Sequence, residues 1–219
     1  MIERPTNKVL EDVRRALGRE YTPEFIPHPP VIPEPITRLV HTEIGLPALF
    51  ATRAAENKVD VESVRVEELP GRLLEYLKSK NLNSAALPVS PFLEKIGVMD
   101  ALRSAVRVGL WNKISLDEIF DYHCGITDVF AAIAETGSLV IQASPSHGRS
   151  LSLIPPVHIA IVEPRNLLPD LVDLFDRLTR EGAGSGTIII TGPSKTADIE
   201  MNLVQGVHGP GTVKVFLLD

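Results

Sequence analysis

From Lys58 onward, short runs of β-branched and other apolar residues alternate with segments whose apolar residues recur at helical spacing. No other feature constrains the fold as strongly. Val59, Val61, Val64 and Val66 predict a strand, residues 69–77 a helix with Pro70 suited to its first turn, and residues 84–89 a short buried strand. Helical pieces are predicted near 92–96, 99–106 and 116–122. Two apolar runs follow at 129–134 and 138–141, then a buried strand at 158–162. Leu167, Leu168, Leu171, Val172, Leu174, Phe175 and Leu178 mark an amphipathic helix ending near Gly182, and 187–191 and 213–218 complete the strand series. Strands separated by helices need crossover connections, and crossovers make parallel sheets. The prediction is one α/β domain over 37–219, with a mostly parallel, Rossmann-like sheet and helices on both faces.

The first 36 residues read differently. Val9, Leu10, Val13 and Leu17 repeat at helical spacing, Thr6 can cap that helix and Gly18 can end it. Pro23, Pro27, Pro29, Pro30, Pro33 and Pro35 then fall within one short tract, which forbids helix and central strand and predicts a stiff, extended arm. Residues 1–36 are therefore read as an N-terminal helix and proline-rich arm, apart from the α/β domain.

Composition removes several classes of function. Cys124 is the single cysteine, so the chain can build neither an internal disulfide nor an iron–sulfur cluster or thiolate zinc site of its own. His147, His158 and His208 lack metal-ligand spacing, and no metal site is predicted. With 22 Lys+Arg against 28 Asp+Glu and no basic block, nucleic-acid binding is disfavoured. Between Ile114 and Gly148 there is no Lys or Arg, yet Asp117, Glu118, Asp121, Asp128 and Glu135 all occur; such a run is ordinarily a solvated face. No apolar stretch is long enough to span a membrane and the N-terminus has no apolar signal core, so a cytoplasmic protein is expected.

Four segments could carry chemistry. Strand 187–191 runs directly into Gly192-Pro193-Ser194-Lys195-Thr196, without P-loop spacing. At the carboxyl end of a parallel strand, Gly192 permits close approach, Ser194 and Thr196 offer hydroxyls and Lys195 a positive charge, which suits a phosphate or carboxylate. A proline turn that caps a helix would use the same residues. Asp198 and Glu200, just beyond, would order a following helix or bind a polar ligand group. Glu135-Thr136-Gly137 places a carboxylate between two apolar runs, which suits acid–base or acyl-transfer chemistry, although Glu-Thr-Gly is also good turn chemistry. Arg149 could clamp an anion bidentately or cap carbonyls. His208, flanked by glycines in Gly206-Val207-His208-Gly209-Pro210, could shuttle protons or simply hydrogen-bond in a loop. Cys124 opens an apolar strand and is read as a buried, inert thiol.

Together, Ala132-Ile-Ala-Glu-Thr-Gly-Ser-Leu-Val-Ile141, Arg149-Ser-Leu-Ser-Leu-Ile-Pro-Pro-Val-His158, Gly192-Pro-Ser-Lys-Thr-Ala-Asp-Ile-Glu200 and Gly206-Val-His-Gly-Pro210 resemble the LUD domain family, in its lactate utilisation protein C branch. The likeness is specific over 120–219 and loose over 40–119. It implies a fold similar to the sugar-phosphate isomerase and CoA-transferase superfamily. It also implies a role in oxidising L-lactate to pyruvate beside iron–sulfur partner proteins. A larger branch carries the domain fused to an iron–sulfur module, from which this chain departs in having one cysteine. The resemblance leaves an accessory, small-anion-binding role for this chain. Gly192, Ser194, Lys195, Thr196 and Arg149 would hold the anion, with Asp198 and Glu200 nearby, and Glu135 and His208 are the candidate catalytic groups. The alternative is a stand-alone acyl or CoA transferase, or a cyclo-ligase-like enzyme, using Glu135.

Overall fold

The computed structural model describes residues 8–18, 45–196 and 204–219. The chain divides into two compact units, Met1–Thr37 and Arg38–Asp219. In the first, helix α1 (Lys8–Ala16) forms as its spacing predicts, with Val13 and Leu17 exposed and Arg15 3.6 Å from Asp12. The proposed cap Thr6 and the proline-rich arm lie outside the described residues.

The second unit runs α2 (Leu46–Glu56), β1 (Asp60–Val64), α3 (Leu69–Ser79), β2 (Ser84–Leu87), α4 (Pro91–Lys95), α5 (Val98–Arg103) and β3 (Arg107–Leu110). It continues with β4 (Cys124–Asp128), β5 (Ala131–Ile133), β6 (Ser138–Gln142), β7 (Val157–Val162), β8 (Leu167–Leu168) and α6 (Leu171–Glu181). The last strands are β9 (Thr187–Ile190), β10 (Lys195–Thr196), β11 (Val204–Gln205) and β12 (Thr212–Leu218). Single 3-10 turns stand at Glu118–Asp121, Arg149–Ser152 and Pro164–Asn166.

Six strands form the central sheet in the order β1-β12-β7-β4-β2-β3, every pair parallel. Its central strands are apolar on both faces. In β7, Ile159 and Ile161 point to one side while Ala160 and Val162 point to the other, so no polar face interrupts the run. One side is covered by α3, α4 and α5. Leu69, Leu73 and Leu77 of α3, spaced four apart, reach the core with Leu93 of α4 and Leu102 of α5. Local chemistry fixes the helix starts: Pro70 occupies the first turn of α3, and Ser90 caps α4 by accepting from the Leu93 N–H at 3.3 Å. Lys214 of β12 is also buried on this side and is held by Asp60 at 2.9 Å and Glu62 at 3.0 Å. Burial works against the Glu62 charge, but Lys214 and Arg72 hold its carboxyl below the ordinary value.

The other side departs from the predicted helical cover. Helix α2 lies there through Phe50 and Ala54, but most of the face meets a second sheet of order β8-β5-β6-β9. In it, β6 is antiparallel to both β5 and β9, while β8 is parallel to β5. Ala132, Leu139 and Ile141 face the parallel sheet; Ala131, Ile133 and Val140 face outward against Leu174 of α6. The layers are therefore helices, parallel sheet, small mixed sheet and α6. Leu167 and Leu168, predicted to open the helix, instead pair with β5. The helix starts at Leu171 because Asp170 caps it, accepting from the Asp173 N–H at 3.0 Å.

Candidate functional site

The segment 192–196 does not lie where a parallel strand would put it. β9 is the edge of the small sheet, and beyond it β10 pairs antiparallel with β11, with Lys195 opposite Gln205 and Thr196 opposite Val204. Asp198 and Glu200 lie outside the described residues. What the structure does bring together, at the amino-terminal edge of the parallel sheet, is Gly192, Ser194 and His208. They line a cavity of about 250 Å³ with Leu153, Ile190 and Pro210. Two backbone bonds tie its loops: the Ser194 N–H donates to Pro210 O at 2.8 Å, and the Gly206 N–H donates to Ser194 O at 3.0 Å. Gly192 has φ +90°, and a Cβ there would collide with the Asn57 carbonyl at the end of α2, so only glycine suits the position. His208 and Lys195 are exposed and Thr196 is half-buried. Arg149 is exposed beside Gly186 and does not line the cavity.

Glu135 stands in the hairpin turn between β5 and β6. Gly137 turns the chain at φ +65°, pressed against Ala54 of α2 where no side chain would fit. The Glu135 N–H donates to Pro169 O at 3.0 Å, and its half-buried carboxylate has no hydrogen-bond or ion-pair partner among the described residues. The turn is nonetheless linked to the cavity. Thr136 Oγ1 lies 2.7 Å from Ser138 Oγ, which lies 2.7 Å from Oγ1 of Thr191, a lining residue. Asn57 Nδ2 also donates to Thr136 O at 3.0 Å.

A second polar cluster, at the opposite edge of the parallel sheet, was not singled out from the sequence. β3 lies on one side of β2 and β4 on the other, so the chain reverses its direction of travel across the sheet at β2. The carboxyl ends of β2 and β4 therefore flank the crevice where open α/β sheets commonly bind ligands. Asp128 closes β4 there, Ser90 follows β2, and His147 arrives from the connection between β6 and β7. Ser90 Oγ donates to Asp128 Oδ2 at 3.0 Å, and His147 Nδ1 stands 3.8 Å from Asp128 Oδ1. His158, fully buried in β7, has Nε2 2.9 Å from Thr127 Oγ1. Asp128 Oδ1, His147 Nε2 and His158 Nδ1 are buried with no hydrogen-bond partner among the described residues. Burial pushes the His147 imidazole below its ordinary pKa, with Asp128 opposing; burial and then His147 push His158 down to about 3. Both rings are neutral at pH 7. The sequence carried one faint signal for this cluster, a carboxylate closing an otherwise buried apolar strand. Cys124, in the same strand, is buried with its thiol pushed up to about 12, as an inert core thiol would be. Among the described residues no group of three or more His, Cys, Asp or Glu is placed to hold a metal ion, and no helix is long and apolar enough to cross a membrane.

Comparison with known proteins places this architecture. The lactate utilization protein C of Halalkalibacterium halodurans is 27% identical over 212 residues, covering 92% of each chain. The protein of that name from Exiguobacterium sp. is 43% identical over 99 residues, 43% of each chain. In fold, the chain resembles the crystal structure of a DUF162 family protein from Deinococcus radiodurans, with a TM-score of 0.61 and 22% identity over 80% of this chain and 96% of that one. The LUD domain profile matches residues 48–218, from α2 through β12, and the chain belongs to the LUD domain family.

Proposed function

We propose that this chain is an accessory protein of L-lactate utilisation that holds a small anionic metabolite in the amino-edge cavity, while separate iron–sulfur proteins carry the electrons. The process is supported by likeness to a lactate utilization protein C along 92% of both chains. The ligand is supported by one observation, the meeting of Gly192, Ser194 and His208 in a cavity of about 250 Å³. That space suits a metabolite of a few heavy atoms better than a drug-sized ligand, whose sites run to about 300–1,000 Å³. The Ser194 hydroxyl and the His208 imidazole can donate to a carboxylate, and Lys195, next along the chain, adds a positive charge one residue beyond Ser194. Arg149 and Lys195 both lie outside the lining, so His208 is the basic group within it and Lys195, adjoining Ser194 in the chain, is the basic group of this assignment beyond it.

Isothermal calorimetry with L-lactate and pyruvate tests the assignment. Both Ser194→Ala and Lys195→Ala should weaken binding at least about tenfold, or ~1.4 kcal/mol. Affinity unchanged in both variants would sink it.

One observation favours an enzyme instead. The Glu135 carboxylate has no partner among the described residues, and it sits on a turn that hydroxyls link to the cavity-lining Thr191. On that view its carboxylate attacks the acyl carbon of a CoA thioester, forming an acyl–enzyme anhydride as the C–S bond breaks and the CoA thiolate leaves. Turnover of CoA esters by the purified chain, lost in Glu135→Gln, would establish the transferase. No turnover, or turnover that survives the substitution, removes Glu135 as nucleophile.

A further inference from the structure

The carboxyl-edge crevice is independent of the amino-edge cavity, and its chemistry is different. It has room of about 260 Å³, with Ser90, Asp128, Gln142, Ser144, Ser146 and His147 as its polar lining. Neither Lys nor Arg is among the groups that line it, while the Asp128 carboxylate is. A phosphate or carboxylate ligand would bring a second negative charge beside Asp128 with no cation in the lining to offset it, Arg177 lying outside the lining over the Phe130 ring. Unmet hydrogen bonding in the crevice is chiefly of the acceptor kind. Asp128 Oδ2 is satisfied by Ser90, whereas Asp128 Oδ1 has no donor, and His147 Nδ1 at 3.8 Å is beyond hydrogen-bond reach of it. A neutral imidazole presents one further acceptor nitrogen. Buried acceptors without donors are costly, and a ligand that brings donors to them gains what the free protein lacks.

We propose that this crevice binds a neutral molecule carrying adjacent hydroxyl groups, a vicinal diol of monosaccharide size. Asp128 Oδ1 accepts one hydroxyl and the acceptor nitrogen of His147 the other, with Ser90 holding the carboxylate in place. The convergence of these groups carries the proposal: they come from the ends of β2 and β4 and from the loop before β7, at the point where the sheet reverses its winding.

Nuclear magnetic resonance titration of the ¹⁵N-labelled full chain tests this, with D-ribose as probe and L-lactate and methylammonium as comparisons. D-Ribose should shift the backbone amides of Ser90, Asp128 and His147 saturably. Asp128→Asn should weaken that response at least about tenfold, and Ser90→Ala should weaken it less. Ser194→Ala, in the other cavity, should leave it unchanged, which separates this site from the anion assignment. An amide spectrum preserved elsewhere shows that the variants fold; should Asp128→Asn not fold, Ser90→Ala decides. Response to methylammonium but not to ribose would overturn the diol in favour of a cation. Response to L-lactate alone, or to none of the three, would overturn the proposal too.

Discussion

His158 shows how one side chain changes meaning once its surroundings are known. In the sequence it is a polar residue at the head of an apolar strand. In the fold it is fully buried, its Nε2 bonded to Thr127 and its ring forced to stay neutral. The unfolded chain takes up a proton near the ordinary value of 6.5, whereas the folded chain resists until about 3. This residue's stabilising effect is therefore complete above about pH 6.5 and is lost progressively as pH falls from there toward 3. Between pH 7.5 and pH 5.5, above the range where most carboxylates titrate, the loss should be about 1.4 kcal/mol from His158 alone. Urea unfolding of the wild type and of His158→Asn at both pH values checks this. Equal losses in the two proteins would show that His158 is not the cause. Glu135 shows the opposite case: the turn chemistry of Glu-Thr-Gly was legible, and the residue does sit in a hairpin turn. That Thr136 and Ser138 pass a hydroxyl chain from this turn to Thr191 was not, because Thr191 is remote in sequence.

At the scale of elements, glycine positions separate local from tertiary demands. Gly71 stands in the exposed first turns of α3 with nothing within 4 Å of a would-be Cβ. Gly125 lies in the middle of β4, where a Cβ would collide with the Leu151 carbonyl of the 3-10 turn that packs over the sheet. Gly71→Ala should stabilise the protein by about 0.5–1 kcal/mol, since alanine is the better helix former and less free when unfolded. Gly125→Ala should cost about 2–3 kcal/mol or more, because the turn must move off the strand. Denaturant midpoints of the two variants measure both effects, and a stable Gly125→Ala would mean that the turn does not press on β4. The elements themselves were mostly legible. α3, β2, β7, β9 and β12 fall where apolar spacing puts them, since a helix stripe or an apolar run is a local property. α2 and β3 were not read. β3 has only the four residues Arg-Val-Gly-Leu, and α2, an alanine-rich helix, buries only Phe50 and Ala54, so its periodicity is faint.

At the scale of the whole molecule, three apolar runs predicted for one parallel sheet belong to another, joined there by a leucine pair predicted to open a helix. Ala131–Ile133, Ser138–Gln142, Leu167–Leu168 and Thr187–Ile190 build the small mixed sheet. That sheet is covered on one face by the parallel strands and on the other by α6, so β5 and β6 are apolar on both faces, like parallel core strands. Nothing in such a run states which neighbour it pairs with. The single cysteine has its consequence at this scale as well. If the chain serves lactate oxidation without a cluster of its own, it should work in company. A tagged full-length chain should then co-purify from its own cell with cluster-bearing proteins that carry the absorbance of iron–sulfur centres, and recovery of the chain alone at physiological salt would count against partnership.

What the sequence by itself determined is what local spacing and composition can encode: an α/β domain, the places of most helices and strands, the LUD family motifs, and no cysteine set for a cluster in this chain. The tertiary structure alone decided which strands share a sheet, that Gly192, Ser194 and His208 meet in one cavity, and that Asp128, His147 and Ser90 meet at the opposite edge. The reason is physical. Periodicity records which side of an element is buried, but pairing and convergence depend on contacts between residues far apart in the chain, whose partners leave no mark on the local pattern.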